Sequence, residues 1–135
     1  MKDVFEVSDS CHQLEINFAH FLILAGSKET KATIIETMEN AKKIPPTVFF
    51  PTMGTRIYPG TQLCERAIAE GKIKNEYDLM ESVYYISDLV SQEEIKNEAL
   101  KTGRKFVFMD EDLGPIMKRM RAKGMKGPLW EYLIR

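Results

Sequence analysis

Cysteine is nearly missing from this 135-residue chain, which has Cys11 and Cys64 alone. Two thiols so far apart exclude a disulfide framework and a CxxC-type metal site, and each reads as a small buried hydrophobe. Long apolar runs are missing as well. The longest, residues 18–26, is interrupted by His20 and falls far short of the ~20 residues needed to span a bilayer. No charge sign is in excess: 19 Lys and Arg stand against 20 Asp and Glu, a net charge of -1. This removes any general attraction to nucleic acid or to an acidic membrane surface. There is no P-loop, zinc motif, nucleophile elbow or dinucleotide glycine fingerprint, and there are no internal repeats. The first residues include Asp3 and Glu6 and lead into no apolar core, so no secretory signal is expected and the chain reads as soluble and cytoplasmic.

What is present is the composition of a globular domain: 44% hydrophobic, 29% charged and 10% aromatic residues. Such a chain has enough apolar side chains for one core and too few residues for two ordinary domains. Its charge is unevenly placed, with 10 basic and 16 acidic residues in 1–100 but nine and four in 101–135. Head-to-tail contact with a partner and two solvated faces both fit that asymmetry.

Apolar periodicity predicts an alternation of helix and strand. Ser8 and Ser10 are candidate N-caps of a short helix ending near Ile16. Residues 17–25 (NFAHFLILA) follow as a run suited to a strand buried on both faces of a parallel sheet. A helical pattern from Lys31 places Ile34, Ile35, Met38 and Ala41 on one stripe and ends at Pro45-Pro46. Residues 47–50 open a second strand. Thr61 caps a helix that Gly71 terminates, and Ser91 with Glu94 forms a capping box for another. Residues 83–86 are a candidate third strand, residues 106–109 are another short β-prone run, and residues 112–121 form a basic helix ended by Gly124. Double-sided strands alternating with helices point to a parallel α/β layer. A closed eight-unit barrel needs roughly 250 residues, so this chain, at about half that length, is either a small self-contained α/β fold or a piece of something larger; a half barrel has open strand edges that must be covered or paired.

In parallel α/β folds, sites gather at the carboxyl ends of strands. Two such ends stand out. At residues 25–30, Gly26 allows close backbone approach, and N–H groups at the next helix start suit a polar or anionic ligand. Glu29 there can accept a hydrogen bond from a ligand amine or ribose hydroxyl, or can simply favour the helix N-terminus by its charge. At residues 54–61, the Arg56 guanidinium can clamp a carboxylate or phosphate, or can form a surface ion pair. His20 reads as a hydrogen-bonded core residue, the methionines as packing filler, and Trp130 and Tyr132 as anchors of the last helix.

Some of these segments are also similar to a known family. Ile57-Tyr58-Pro59-Gly60-Thr61, preceded by Gly54-Thr55-Arg56 and followed by Leu63, Ala67, Glu70 and Gly71, resembles part of the radical S-adenosylmethionine superfamily. The match is to the branch whose members usually carry an N-terminal cobalamin-binding domain. Residues 20–30 (HFLILAGSKET) look like that family's HFLLxGGPGET strand and turn, with Ala25 in place of its first Gly and Ser27-Lys28 in place of Pro-Gly. Asp78-Leu79 and Tyr84-Tyr85-Ile86-Ser87 resemble its DLL…FYIS stretch, and Gly124 with residues 127–131 (GPLWE) resembles its tail.

The resemblance implies an α/β fold: half of a radical-SAM-type β/α barrel with parallel strands, over residues 1–75, and a largely helical C-terminal extension over 76–135. In the family, a CxxxCxxC motif holds a [4Fe–4S] cluster that reductively cleaves S-adenosylmethionine to a hydrogen-abstracting radical. By motif position Gly26 and Glu29 match the turn that approaches the cofactor's adenosyl part, and Arg56 lies on the following strand. The cluster cysteines are absent here, and so is a cobalamin-binding region. The chain alone is therefore expected to lack the family chemistry, and no catalytic or metal-binding residue is assigned to it. Three roles follow from the resemblance. The chain is the C-terminal portion of a radical enzyme, completing the barrel and positioning cofactor and substrate; or a separate subunit pairing with a cluster-bearing chain; or a non-catalytic module for an adenosyl or carboxylate ligand. Open sheet edges also allow a homo-oligomer.

Overall fold

A computed structural model describes residues 1–109 and 112–134, the side chains of Tyr77 and Asp78 excepted. Asp78 of the Asp78-Leu79 pair thus falls outside the described side chains. In chain order the elements are α1 (Lys2–Gln13), β1 (Ala19–Leu24), α2 (Lys31–Lys43), β2 (Val48–Met53), β3 (Thr55–Arg56) and α3 (Gln62–Ala69). A 3₁₀ turn at Glu76–Met80 follows, then β4 (Tyr84–Tyr85), α4 (Gln92–Lys101), β5 (Lys105–Phe106), α5 (Gly114–Ala122) and a 3₁₀ turn at Leu129–Leu133. The chain is an α/β fold built on a parallel three-stranded sheet of order β1-β2-β5. Among the described residues no helix is long and apolar enough to cross a membrane.

Most helix boundaries follow from their caps. Thr30 and Ser91 close capping boxes with Thr33 and Glu94, and the Thr61 side chain accepts from the Cys64 N–H. The first helix differs from expectation. It begins at Lys2, ahead of Ser8, and the hydroxyls of Ser8 and Ser10 donate back to the carbonyls of Val4 (2.6 Å) and Glu6 (2.8 Å). Both serines therefore lie in the helix interior, bonded one turn back rather than capping.

β1 and β2 run parallel in a register from Ala19↔Val48 to Leu24↔Met53, and β5 joins the far side of β2 at Val48↔Lys105 and Phe49↔Phe106. Pro51 sits in this central strand without an N–H. Its carbonyl accepts from the Met109 N–H at 3.0 Å, so the missing donor falls on the β5 side, where the formal ladder ends at Phe106. On the face toward α2 and α4, Leu24, Ile34, Met38, Ile95 and Ala99 form one cluster, and Phe49 meets Ala41 and Ile44 in another. Full burial of a Leu or Ile there contributes about 1.5–3 kcal/mol.

The opposite face is only partly covered. β2 is buried on both sides, as predicted for a central parallel strand. β1 is not: Phe21 is 74% and Ile23 62% exposed. Its two bare residues lie on the face away from α2 and α4, where the cover that buries the neighbouring Phe50 does not extend over the edge strand. The candidate third strand also changes position. Tyr84–Tyr85 pairs antiparallel with Thr55–Arg56 in a separate two-stranded sheet, and the third strand of the main sheet is β5. Residues 76–135 thus supply β4 and β5 as well as α4 and α5. Beneath the small sheet, Ile57, Cys64, Ala67, Ile73 and Tyr85 make a second core.

Candidate functional site

The turn after β1 has an unusual backbone. Ala25 (φ 59°) and Lys28 (φ 70°) both adopt the left-handed conformation, which costs an L-residue roughly 1–2 kcal/mol. Surrounding bonds hold it in place. The Gly26 N–H donates to Glu29 Oε2 (3.0 Å) and the Glu29 N–H donates to the Gly26 carbonyl (3.1 Å). Ser87, buried just beyond β4, clamps the turn from the side. Its N–H donates to the Ala25 carbonyl (2.8 Å) and its hydroxyl donates to the Glu29 carbonyl (2.9 Å). From α3, Arg66 Nη1 donates to Ser27 Oγ at 2.6 Å.

Gly26 to Glu29 line an open cleft of about 520 Å³ together with Ile23, Thr33, Thr55 and Leu63. A β-carbon at Gly26 would lie 3.1 Å from Thr55 Oγ1, so glycine keeps this wall thin. Among the described residues the Glu29 carboxylate accepts one hydrogen bond, through Oε2, so its other oxygen is open to a donor on a ligand. The Gly26 N–H is itself taken by that carboxylate.

Gly26 and Glu29 therefore come together, while Arg56 does not join them. Arg56 is exposed, lies opposite Tyr84 in the small sheet, and sets its guanidinium 5.0 Å from the Tyr58 ring centre. Alternation along β3 gives the cleft Thr55 and turns Arg56 away. The guanidinium at the turn is that of Arg66, which sequence reasoning missed, as it missed the Ser87 clamp. Behind Ser87, Lys72 Nζ holds the Ile86 carbonyl (3.0 Å) and Asp88 (2.8 Å), and hydrogen bonding to Asp88 raises its pKa. Tyr85 donates to Glu70 at 2.7 Å, which raises the phenol's pKa.

No group of three His, Cys, Asp or Glu side chains among the described residues is placed to hold a metal ion. Cys11 is half-buried on α1. Cys64 is buried under α3, where desolvation, aided by the Glu76 carboxylate, raises the thiol's pKa and keeps it protonated.

His20 has a structural position. Its Nε2 lies 3.1 Å from Ser8 Oγ, and its ring sits between Phe18 and Phe49. Because the Ser8 hydrogen goes to the Val4 carbonyl, the bonding network assigns the donated proton to Nε2. Burial lowers the His20 pKa below its ordinary 6.5. The unfolded chain then takes up a proton at a higher pH than the folded one. The stability His20 contributes is full above pH 6.5 and is lost as pH falls through its lowered pKa. The expected result is a lower urea midpoint at pH 5.5 than at pH 7.5, with a smaller difference in His20→Gln. Equal pH differences in both proteins would contradict this assignment.

Comparison with known protein families, curated proteins and solved structures returns no match for this chain.

Proposed function

We propose that this chain is the C-terminal portion of a radical S-adenosylmethionine enzyme, completing a β/α barrel whose cluster is held by another stretch of polypeptide. The observation that carries this reading is the turn after β1. Its two left-handed non-glycine residues, Ala25 and Lys28, stand where the resembling HFLLxGGPGET pattern has glycine. Left-handed backbone at these two positions is what glycines there would serve, which supports the reading although both are replaced here. The open β1 edge, and Phe21 and Ile23 bare on the face away from α2 and α4, support the same reading, since further strands closing toward a barrel would pair the edge and enclose that face.

The residues present do not fit the cluster. Three thiolates are needed to leave one iron open, and the chain has two cysteines, one of them buried and protonated. No step through a cluster is derived for this chain. They do fit the cofactor. The Glu29 carboxylate borders the cleft with one oxygen open, and Gly26 removes the side chain that would block approach. Bound there, S-adenosylmethionine would supply the hydrogen-abstracting group once an electron from a cluster held on other polypeptide had cleaved it. Glu29 accepts a hydrogen bond from the ligand's amine or ribose hydroxyl, and Ser87 and Arg66 fix the turn that carries it.

Thermal melting with added S-adenosylmethionine tests the cofactor contact, because a ligand of the native state raises Tm by mass action. A rise is expected at millimolar ligand. Glu29→Ala is expected to weaken binding about tenfold, as loss of a charged hydrogen-bond partner does; Glu29→Gln, which can still accept from Gly26, separates loss of charge from loss of the turn. Arg56→Ala is expected to leave affinity within about twofold, since its side chain lies outside the cleft lining. An unchanged Tm at millimolar ligand would remove Gly26 and Glu29 from the cofactor site.

A further inference from the structure

The sheet face opposite α2 and α4 encloses a second cavity, and its lining shares no residue with the Gly26–Glu29 cleft. It lies between the sheet and the C-terminal segment and measures about 550 Å³, within the range of small-molecule sites. Phe50 and Val107 form its floor from β2 and the segment after β5; Met117 and Met120 of α5 and Trp130 of the final turn form its roof. α5 borders this cavity without burying a single residue, and Ile116 and Met117 remain 47% and 40% exposed. Native interiors leave few voids larger than a water molecule. Ile116, Met117 and Met120 line this half-open space, so the apolar side of an otherwise basic helix lacks the packing that a guest would complete.

The charge at this cavity is of one sign. Lys105, at the start of β5, and Arg121, near the end of α5, are its two charged lining residues, and no Asp or Glu lines it among the described residues. The surrounding stretch 101–135 has nine basic and four acidic residues. We infer that this cavity binds a small amphiphile: an apolar chain or ring, seated between sheet and α5, that ends in a carboxylate held by Lys105 and Arg121. Methionines on the roof suit such a guest, since their unbranched side chains adapt to its shape. The inference does not depend on the radical-enzyme reading.

Trp130 is the only tryptophan, so its fluorescence reports on this cavity alone. Octanoate is expected to change Trp130 emission saturably. The uncharged isostere 1-octanol, measured on the unaltered protein, is expected to bind at least about tenfold more weakly, as loss of a charge-assisted contact requires. The double substitution Lys105→Ser and Arg121→Ser, both at exposed positions, is expected to weaken octanoate about tenfold and leave octanol unchanged. Three results would overturn the inference: no saturable change with millimolar octanoate, equal affinity for octanol, or an unaltered octanoate affinity in the double variant. A Trp130 signal that follows protein concentration instead would assign the cavity to self-association and overturn it too.

Discussion

Gly54→Ala is expected to destabilise the chain by about 3 kcal/mol, the sum of a left-handed backbone penalty and an unrelieved overlap. Gly54 has φ +81°, and a β-carbon there would lie 2.5 Å from the Tyr85 carbonyl oxygen and 2.8 Å from Ile86 Cγ1. The nearer atom belongs to backbone, so no side-chain rotation makes room. The Gly54 N–H also donates to the Leu24 carbonyl at 2.6 Å, so a shift of this residue pulls on the end of β1. Gly60→Ala is the control. Its φ is +71°, but nothing lies within 4 Å of the added carbon, so only the conformational cost of about 1 kcal/mol remains. Urea unfolding of both variants separates the two contributions. Equal losses would show that Tyr85 does not crowd Gly54.

A comparable contrast is expected between two phenylalanines on neighbouring strands. Phe49 is 1% exposed and stacks on Phe106 with ring centres 4.8 Å apart. Phe49→Ala is expected to cost about 3–5 kcal/mol, the usual range for a buried ring. Phe21 is 74% exposed and, among the described residues, stacks on Phe50 at 5.4 Å. Phe21→Thr, which keeps a β-forming residue, is expected to cost less than about 1 kcal/mol in the isolated chain. On the proposal that further strands complete a barrel around this chain, the Phe21 result changes when they are present. The ring is then covered, and Phe21→Thr is expected to weaken association by about tenfold or more, as loss of a buried aromatic anchor does. Denaturation of the isolated chain and titration against the cluster-bearing polypeptide measure the two effects. Unchanged association in Phe21→Thr would mean that the complementary portion does not dock on this face.

The parts of the fold legible in the sequence are those set by neighbouring residues. Thr61, Ser91 with Glu94, and Pro45-Pro46 fix helix ends through local hydrogen bonds or the lack of an N–H, and each does so in the structure. The parts set by distant contacts were not legible. The nine-residue apolar run at 17–25 reads the same whether its second face is covered by this chain or left bare. The β-prone stretches at 83–86 and 106–109 are equally short, yet only the second reaches the main sheet. The first is drawn to Thr55–Arg56, where the left-handed Gly54 turns the chain out of β2. The candidate site divides in the same way. Gly26 and Glu29, three residues apart in one turn, were found by position at a strand end. Ser87 and Arg66 reach that turn from 58 and 39 residues away, and no local pattern marks them. Arg56 stood out as a lone guanidinium near a strand end, but the two-residue strand carrying it presents Thr55 to the cleft instead.

The central claim is that this chain works beside polypeptide that holds the cluster, and anaerobic purification of the species carrying this sequence from its source tests it most directly. The account predicts that the purified species contains a three-cysteine CxxxCxxC segment, continuous with this chain or bound to it. It also predicts iron and sulfide in that species, and release of 5′-deoxyadenosine from S-adenosylmethionine on reduction. A species that consists of this chain alone, free of iron and inert toward S-adenosylmethionine, would contradict it.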